Sequence, residues 1–167
     1  EFNSLVDLFF YQAEKNNPNA DFLEWLNPKN KKKYTWGETS LSIKKLAEFL
    51  KCNLIKGDRC LLVSENRPEW LIADLSIMLA DGITVPAYTT YTEKDYKYLI
   101  EDCEPSVIIV SNDEMHDKLK NIIQEKDFIK KVISFDDLKN IEKKSKYLKL
   151  DFIINNHLKE NIKINSE

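Results

Sequence analysis

Arg59 and Arg67 are the only arginines in a chain that carries 25 basic side chains. The planar guanidinium grips carboxylate or phosphate with two parallel hydrogen bonds, which an ammonium cannot match. These two positions are therefore the first places to look for an anion site. Arg67 closes the stretch Ser64-Glu65-Asn66-Arg67, between a short apolar run and a helix start. In α/β proteins such a strand-to-helix loop is where ligands bind. Two readings of Arg67 follow. One is a weak contact to a bound anion. The other is a local ion pair with Glu65 or Glu69, which needs no ligand.

No other residues form a chemical constellation. A phosphate cradle needs clustered glycines at a helix start, but Gly37, Gly57 and Gly82 stand singly, and neither GxGxxG nor GxxxxGK[ST] occurs. His116 and His157 are isolated. His116 lies in Asp113-Glu114-Met115-His116-Asp117 and is expected on the exposed side of a helix. Neither histidine has partners at the spacing a metal site or a catalytic base requires. Cys52, Cys60 and Cys103 are odd in number and lack CxxC spacing. That fits reduced thiols in the cytosol, with Cys60 and Cys103 expected in the core. No serine sits in a GxSxG elbow. The lysines at 31–33 read as a solvated turn rather than a phosphate patch. No catalytic residue and no metal ligand is assigned.

The elements that would position Arg67 are legible. Residues 4–15 have helical spacing, with Ser4 as cap and Asn16-Asn17-Pro18 as stop. Phe22–Leu26 and Lys33–Trp36 flank Asn27-Pro28-Lys29-Asn30 and predict a hairpin. Residues 38–53 predict an amphipathic helix, with Ile43, Leu46, Ala47 and Leu50 inward and Lys44, Lys45, Glu48 and Lys51 outward. Cys60–Val63 is a short apolar run suited to a strand buried on both faces, Val107–Val110 reads as another buried strand, and Ile83–Pro86, closed by its proline, and Lys131–Phe135 also read as strands. Helices are predicted between them. One runs from a cap at Asn66 to Ala80, with Glu69 reaching back, and is apolar nearly all round. The next follows a cap at Thr92, with Tyr96, Leu99, Ile100 and Cys103 inward. A third spans 113–125, and a short one spans 136–144. Strand–helix alternation predicts a doubly wound, mainly parallel α/β sheet with helices on both faces, plus the amino-terminal hairpin. Residues 1–144 form this unit. Residues 145–167 read as a tail, or as a segment that docks on a neighbour.

Composition narrows the function classes. The 167 residues suit one domain, and 43% of them are hydrophobic. A net charge of −3 gives no reason to expect nucleic acid. No apolar run approaches the length of a membrane span, and no basic amphipathic helix argues for a membrane surface.

Three blocks carry a resemblance to a known family. Tyr34-Thr35-Trp36-Gly37-Glu38 resembles an early block of the adenylate-forming superfamily. Lys56-Gly57-Asp58-Arg59, running on through Ser64-Glu65-Asn66-Arg67-Pro68-Glu69-Trp70, resembles the "KGDRV…SENRPEW" segment of its long-chain fatty acyl-CoA synthetases. Met78-Leu79-Ala80-Asp81-Gly82-Ile83-Thr84-Val85-Pro86-Ala87-Tyr88 resembles "AGGITVPAY", with Asp81 where a small residue is common. The resemblance implies an ATP-dependent ligase. A fatty carboxylate attacks the α-phosphorus of Mg-ATP to give acyl-adenylate and pyrophosphate; coenzyme A then displaces AMP. The cofactors implied are ATP, Mg2+ and CoA, used by a parent protein whose phosphate loop is expected beyond Glu167. On its own the chain is expected to be inactive and to bind none of them. The resemblance makes it a scaffold, with Tyr88 and Thr89 as candidates to line a substrate or CoA route. Its expected partners are the rest of its own polypeptide and the fatty acid. Dimerisation through an exposed apolar face would then be an artefact, and the location cytoplasmic, with peripheral membrane contact. Two alternatives stay open: a superfamily member acting on another carboxylate, and a non-enzymatic interaction domain on the same scaffold.

Overall fold

The computed structural model describes residues 2–27, 31–139, 141 and 144–156. Helix α1 (Leu5–Lys15) begins at Ser4, whose hydroxyl accepts the Asp7 N–H at 3.0 Å. Strands β1 (Asp21–Trp25) and β2 (Lys32–Thr35) form the expected antiparallel hairpin. Of its expected turn, residues 28–30 lie outside the described residues, as does His157.

Helix α2 (Trp36–Lys51) starts two residues before its expected position because Thr35 caps it. The Thr35 hydroxyl accepts the Glu38 N–H at 3.1 Å, and the Glu38 carboxylate accepts the Thr35 N–H at 2.8 Å. This reciprocal pair satisfies two donors that a helix start leaves open.

Strands β3 (Arg59–Val63), β4 (Ile83–Ala87), β5 (Val107–Val110), β6 (Lys131–Ser134) and β7 (Tyr147–Lys149) make one sheet. Its order is β4-β3-β5-β6-β7, and every pairing is parallel. Pro86 lies on the edge strand β4, where a missing N–H costs no ladder bond. Helices α3 (Pro68–Leu79), α4 (Glu93–Cys103), α5 (Asp113–Asp117), α6 (Lys120–Glu125) and α7 (Leu150–Asn156) complete the unit. Alternation along β3 divides the core. Cys60 and Leu62 face α2, α3 and α7, while Leu61 and Val63 face α4, α5 and α6. The all-round apolarity of α3 also has a cause. Ala73 and Ile77 meet the sheet, while Ile72 and Leu75 pack with Phe9 of α1 and Ile43 of α2.

Several expectations are corrected. The helix at 136–144 does not form among the described residues. The Asp136 N–H donates instead to the Ser111 carbonyl at 2.9 Å, and the Lys139 N–H donates to the Asp113 carboxylate at 2.9 Å. The Lys139 N–H, which a helix begun at 136 would use internally, thus goes to a tertiary partner, whereas the Asp136 N–H would be free at a helix start. The helix at 113–125 is broken into α5 and α6. His116, expected in solvent, is buried, and its Nε2 lies 3.0 Å from the Tyr147 hydroxyl on β7. Burial lowers its pKa, against the opposing pull of Asp117 and Asp113. Lys45, also expected in solvent, is buried beneath α7. Residues 147–156 therefore pack on this chain's own sheet and helices. Asn66 does not cap α3; Arg67 takes the cap position and forms no side-chain cap bond. Cys60 is buried as expected, and burial pushes its thiol up to about 12. Cys103 is only half-buried.

Candidate functional site

The chain leaves β3 through α3 to reach β4, then crosses back to pair β5 on the other side of β3. α3 lies on one face of the sheet, and α5 lies on the other. The loops after β3 and β5 therefore part in opposite directions. Such a switch point opens a crevice at the carboxyl ends of the strands, where α/β proteins hold ligands. Ser64 and Arg67 border it from β3, and Ser111 borders it from β5. Asp136 follows β6, the next strand along. The Ser111 N–H donates to the Val63 carbonyl at 3.1 Å, which ties the two loops at their roots.

Arg67 dominates this edge. Its Nε donates to Glu69 Oε2 at 2.8 Å, and its Nη2 to Glu69 Oε1 at 3.2 Å. Nη1 and Nη2 donate to the two Asp136 oxygens at 3.1 and 3.0 Å. Glu65 lies 3.6 Å from Nη1. A guanidinium has five N–H donors, and four are taken by these two carboxylates. The cation lies over the Trp25 ring at 4.4 Å and the Phe135 ring at 5.4 Å. The ion pair therefore joins the β3 loop to the β6 loop across the end of β5, and clamps the hairpin against both.

Glu69 is as enclosed as Arg67, each with a side chain only 3% exposed. Beyond Arg67 it accepts from Lys32 Nζ and from the Tyr34 hydroxyl, each at 3.0 Å. Burial alone would raise its pKa. Hydrogen bonds and charge from Arg67, with help from Lys32, reverse that and hold the carboxyl at about 2. Burial and the neighbouring Glu69 carboxylate push the Tyr34 phenol well above its ordinary range. Three carboxylates meet two cations here, so the cluster's net charge is negative. Of the two sequence readings of Arg67, the ion pair with Glu65 and Glu69 is present.

An open groove of about 510 Å³ runs between the hairpin and α3. Trp25, Leu26, Arg67 and Trp70 line much of it. Tyr88 and Thr89 lie elsewhere, past the end of β4 on the far side of β3 from Asp136. Tyr88 is 72% exposed, with its ring 5.5 Å from Tyr91. Its carbonyl accepts the Tyr96 hydroxyl at 2.7 Å, and the Thr89 carbonyl accepts Lys118 Nζ at 2.7 Å. Among the described residues no hydrogen bond or ion pair joins Arg67 to either. Sequence reasoning did not find Asp136, Lys32 or Tyr34 as Arg67 and Glu69 partners. Their separations of 69, 37 and 35 residues leave no local signal.

The family described as AMP-binding enzyme matches residues 9–161. The chain belongs to the AMP-binding enzyme family. A long-chain-fatty-acid–CoA ligase of Bacillus subtilis is 39% identical over 79 residues, covering 47% of this chain and 14% of that protein. Another, from Rattus norvegicus, is 25% identical over 131 residues, covering 78% of this chain and 18% of that protein. The chain thus spans less than a fifth of these two relatives. Among solved structures, the coronafacic acid ligase of Pectobacterium brasiliense superposes with a TM-score of 0.76 at 20% identity, over 89% of this chain and 29% of that one. An anthranilate CoA ligase in complex with anthranoyl-AMP gives 0.73 at 19% identity, over 89% and 27%. The parallel sheet flanked by helices is therefore the fold of AMP-binding enzymes over this region.

Proposed function

We propose that this AMP-binding-family unit is the scaffold of an ATP-dependent long-chain fatty acid–CoA ligase. That enzyme converts fatty acid, ATP and CoA to acyl-CoA, AMP and pyrophosphate through an acyl-adenylate. The observation that supports it best is the similarity to the Bacillus subtilis ligase, at 39% identity over 79 residues.

The residues described here do not fit Mg-ATP themselves. Among them no group of three His, Cys, Asp or Glu could hold a metal ion. The buried guanidinium has four donors bound to carboxylates in a cluster of negative charge, which repels phosphate. No step of the reaction is routed through them. Their part is to hold the sheet and the switch-point loops rigid, as a catalytic apparatus requires of its support. In this reading the partner is the rest of the polypeptide, and Tyr88 and Thr89 border the substrate or CoA route. The location is cytoplasmic with peripheral membrane contact; no helix among the described residues is long and apolar enough to cross a membrane.

Pyrophosphate release by the full-length protein, with CoA present, tests the proposal. Palmitate-dependent release with palmitoyl-CoA formation is expected. Release with anthranilate but not palmitate moves the assignment to another carboxylate. No release with any carboxylate overturns the ligase reading and leaves an interaction domain.

A further inference from the structure

Helix α5 turns His116 inward, where it is only 1% exposed. Its Nε2 lies 3.0 Å from the Tyr147 hydroxyl, and the two rings meet edge-on with centroids 5.4 Å apart. Nδ1 is buried and has no hydrogen-bond partner among the described residues. A neutral imidazole carries one N–H, and the hydroxyl can answer either tautomer at Nε2, since it donates or accepts. Protonation puts an N–H on both nitrogens and adds a charge. Only Nε2 then has an acceptor. A buried donor without an acceptor and a buried charge without a partner are both costly. Burial is the largest influence on the ring and opposes the proton, and Lys120 of α6 adds to it; Asp117 and Asp113 favour the proton but do not prevail. Asp113 is also engaged from the loop after β6, 3.9 Å from Lys139 Nζ and accepting the Lys139 N–H at 2.9 Å. From β7 the titratable group facing the ring is Tyr147.

Tyr147 opens a lightly held segment. β7 is three residues long and pairs with β6 alone, at the sheet edge. α7 follows it directly and has seven residues, too few for a helix to persist without tertiary contacts. Leu150 and Ile153 reach the core, and Lys45 donates to the Ile154 carbonyl. Segments of this kind open as units, at less than the free energy of global unfolding. We propose that His116 and Tyr147 form a pH-sensitive latch: protonation of His116 in mild acid releases residues 147–156 from the sheet and uncovers the apolar side chains beneath Leu150 and Ile153. Opening leaves the imidazole in water, near its ordinary pKa of about 6.5, whereas the closed segment disfavours the proton. The closed state therefore has its full stability above about pH 6.5 and weakens as pH falls below it.

The test is amide hydrogen exchange of the full-length protein between about pH 7.5 and 5.5, read by mass spectrometry and referred to the intrinsic rate at each pH. Peptides covering 147–156 are expected to lose protection by up to about tenfold per pH unit below about 6.5, the slope of one proton. Peptides covering β3 and β5 should keep theirs. His116→Gln can keep a bond to the Tyr147 hydroxyl but cannot titrate, and it should abolish the slope. The proposal fails if 147–156 keeps its protection down to about pH 5.5, if β3 and β5 lose theirs in step with it, or if His116→Gln retains the slope. If His116→Gln does not fold, exchange of the His116 Cε1–H in the wild type decides. That slow reaction follows ionisation of the ring, and it must show His116 gaining its proton over the pH range in which 147–156 opens; protonation outside that range overturns the latch.

Discussion

Replacing Arg67 with Met removes the guanidinium but keeps an apolar stem against Trp25 and Phe135. Glu69 would then be buried with only Lys32 and Tyr34 as partners. Two routes give the cost. Removing one member of a buried pair typically costs about 3–5 kcal/mol. Independently, Glu69 is held at about 2 against an ordinary 4.5, a difference equivalent to about 3 kcal/mol of stabilisation at neutral pH. No solvent discount applies to a side chain 3% exposed. The Asp136 arm adds little, because that carboxylate is 47% exposed. The assay is thermal and urea unfolding followed by tryptophan fluorescence, which Trp25 reports directly from its place under the guanidinium. A loss of about 3 kcal/mol lowers the midpoint by roughly 6–12 °C in a domain of this size. The pH dependence follows from the sign. A depressed carboxyl pKa gives stability that is complete above about 4.5 and is lost as pH falls toward 2. The gap between wild type and Arg67→Met should therefore be full at pH 7 and nearly closed at pH 2. A midpoint change below about 2 °C at pH 7, or a gap that stays constant down to pH 2, would refute the reasoning.

Three further outcomes are expected from thermal melts of single variants. Thr35→Ala removes one half of the capping box that starts α2, and should cost about 1 kcal/mol. Glu104→Gly should stabilise by up to about 1 kcal/mol, because Glu104 ends α4 in the left-handed region at φ 44°, where a side chain is strained; a lower midpoint would sink this. Gly82→Ala should destabilise by about 1–3 kcal/mol. Its Cβ would stand 3.0 Å from Ile77 Cγ2 and 3.2 Å from the Ile77 carbonyl, and Ile77 is fully buried.

The two central strands, β3 and β5, were readable because Cys60–Val63 and Val107–Val110 are buried throughout. Val107–Val110 has no polar residue to break the run, and such a run has few uses other than a central parallel strand. The Thr92 cap and its Asp95 partner were readable because both lie within four residues. What failed were positions whose surroundings arrive from far along the chain. Lys45 looks like a solvent-facing lysine within its own helix; it is buried because α7, about 100 residues later, lies over it. His116 is buried for the same reason, by Tyr147 of β7. Tyr147–Lys149 is three residues long, too short for alternation to mark it as a strand. Residues 136–144 were read as a short helix, yet the Lys139 N–H donates to the Asp113 carboxylate instead. Local propensity lost there to tertiary hydrogen bonds.

The residues that carry the family resemblance are largely those that build the support. Tyr34, Arg67 and Glu69 form one buried network, Thr35 and Glu38 form a cap, and Pro68 opens α3. Gly82 is pressed against Ile77. Asp81, where the family pattern has a small residue, stands at φ 60°, so the small residue serves backbone conformation there rather than chemistry. A match over such positions identifies the fold with some force and says less about the carboxylate consumed. That is why substrate class is decided by turnover of the full-length protein, while Arg67, the most suggestive residue in the sequence, is decided by unfolding.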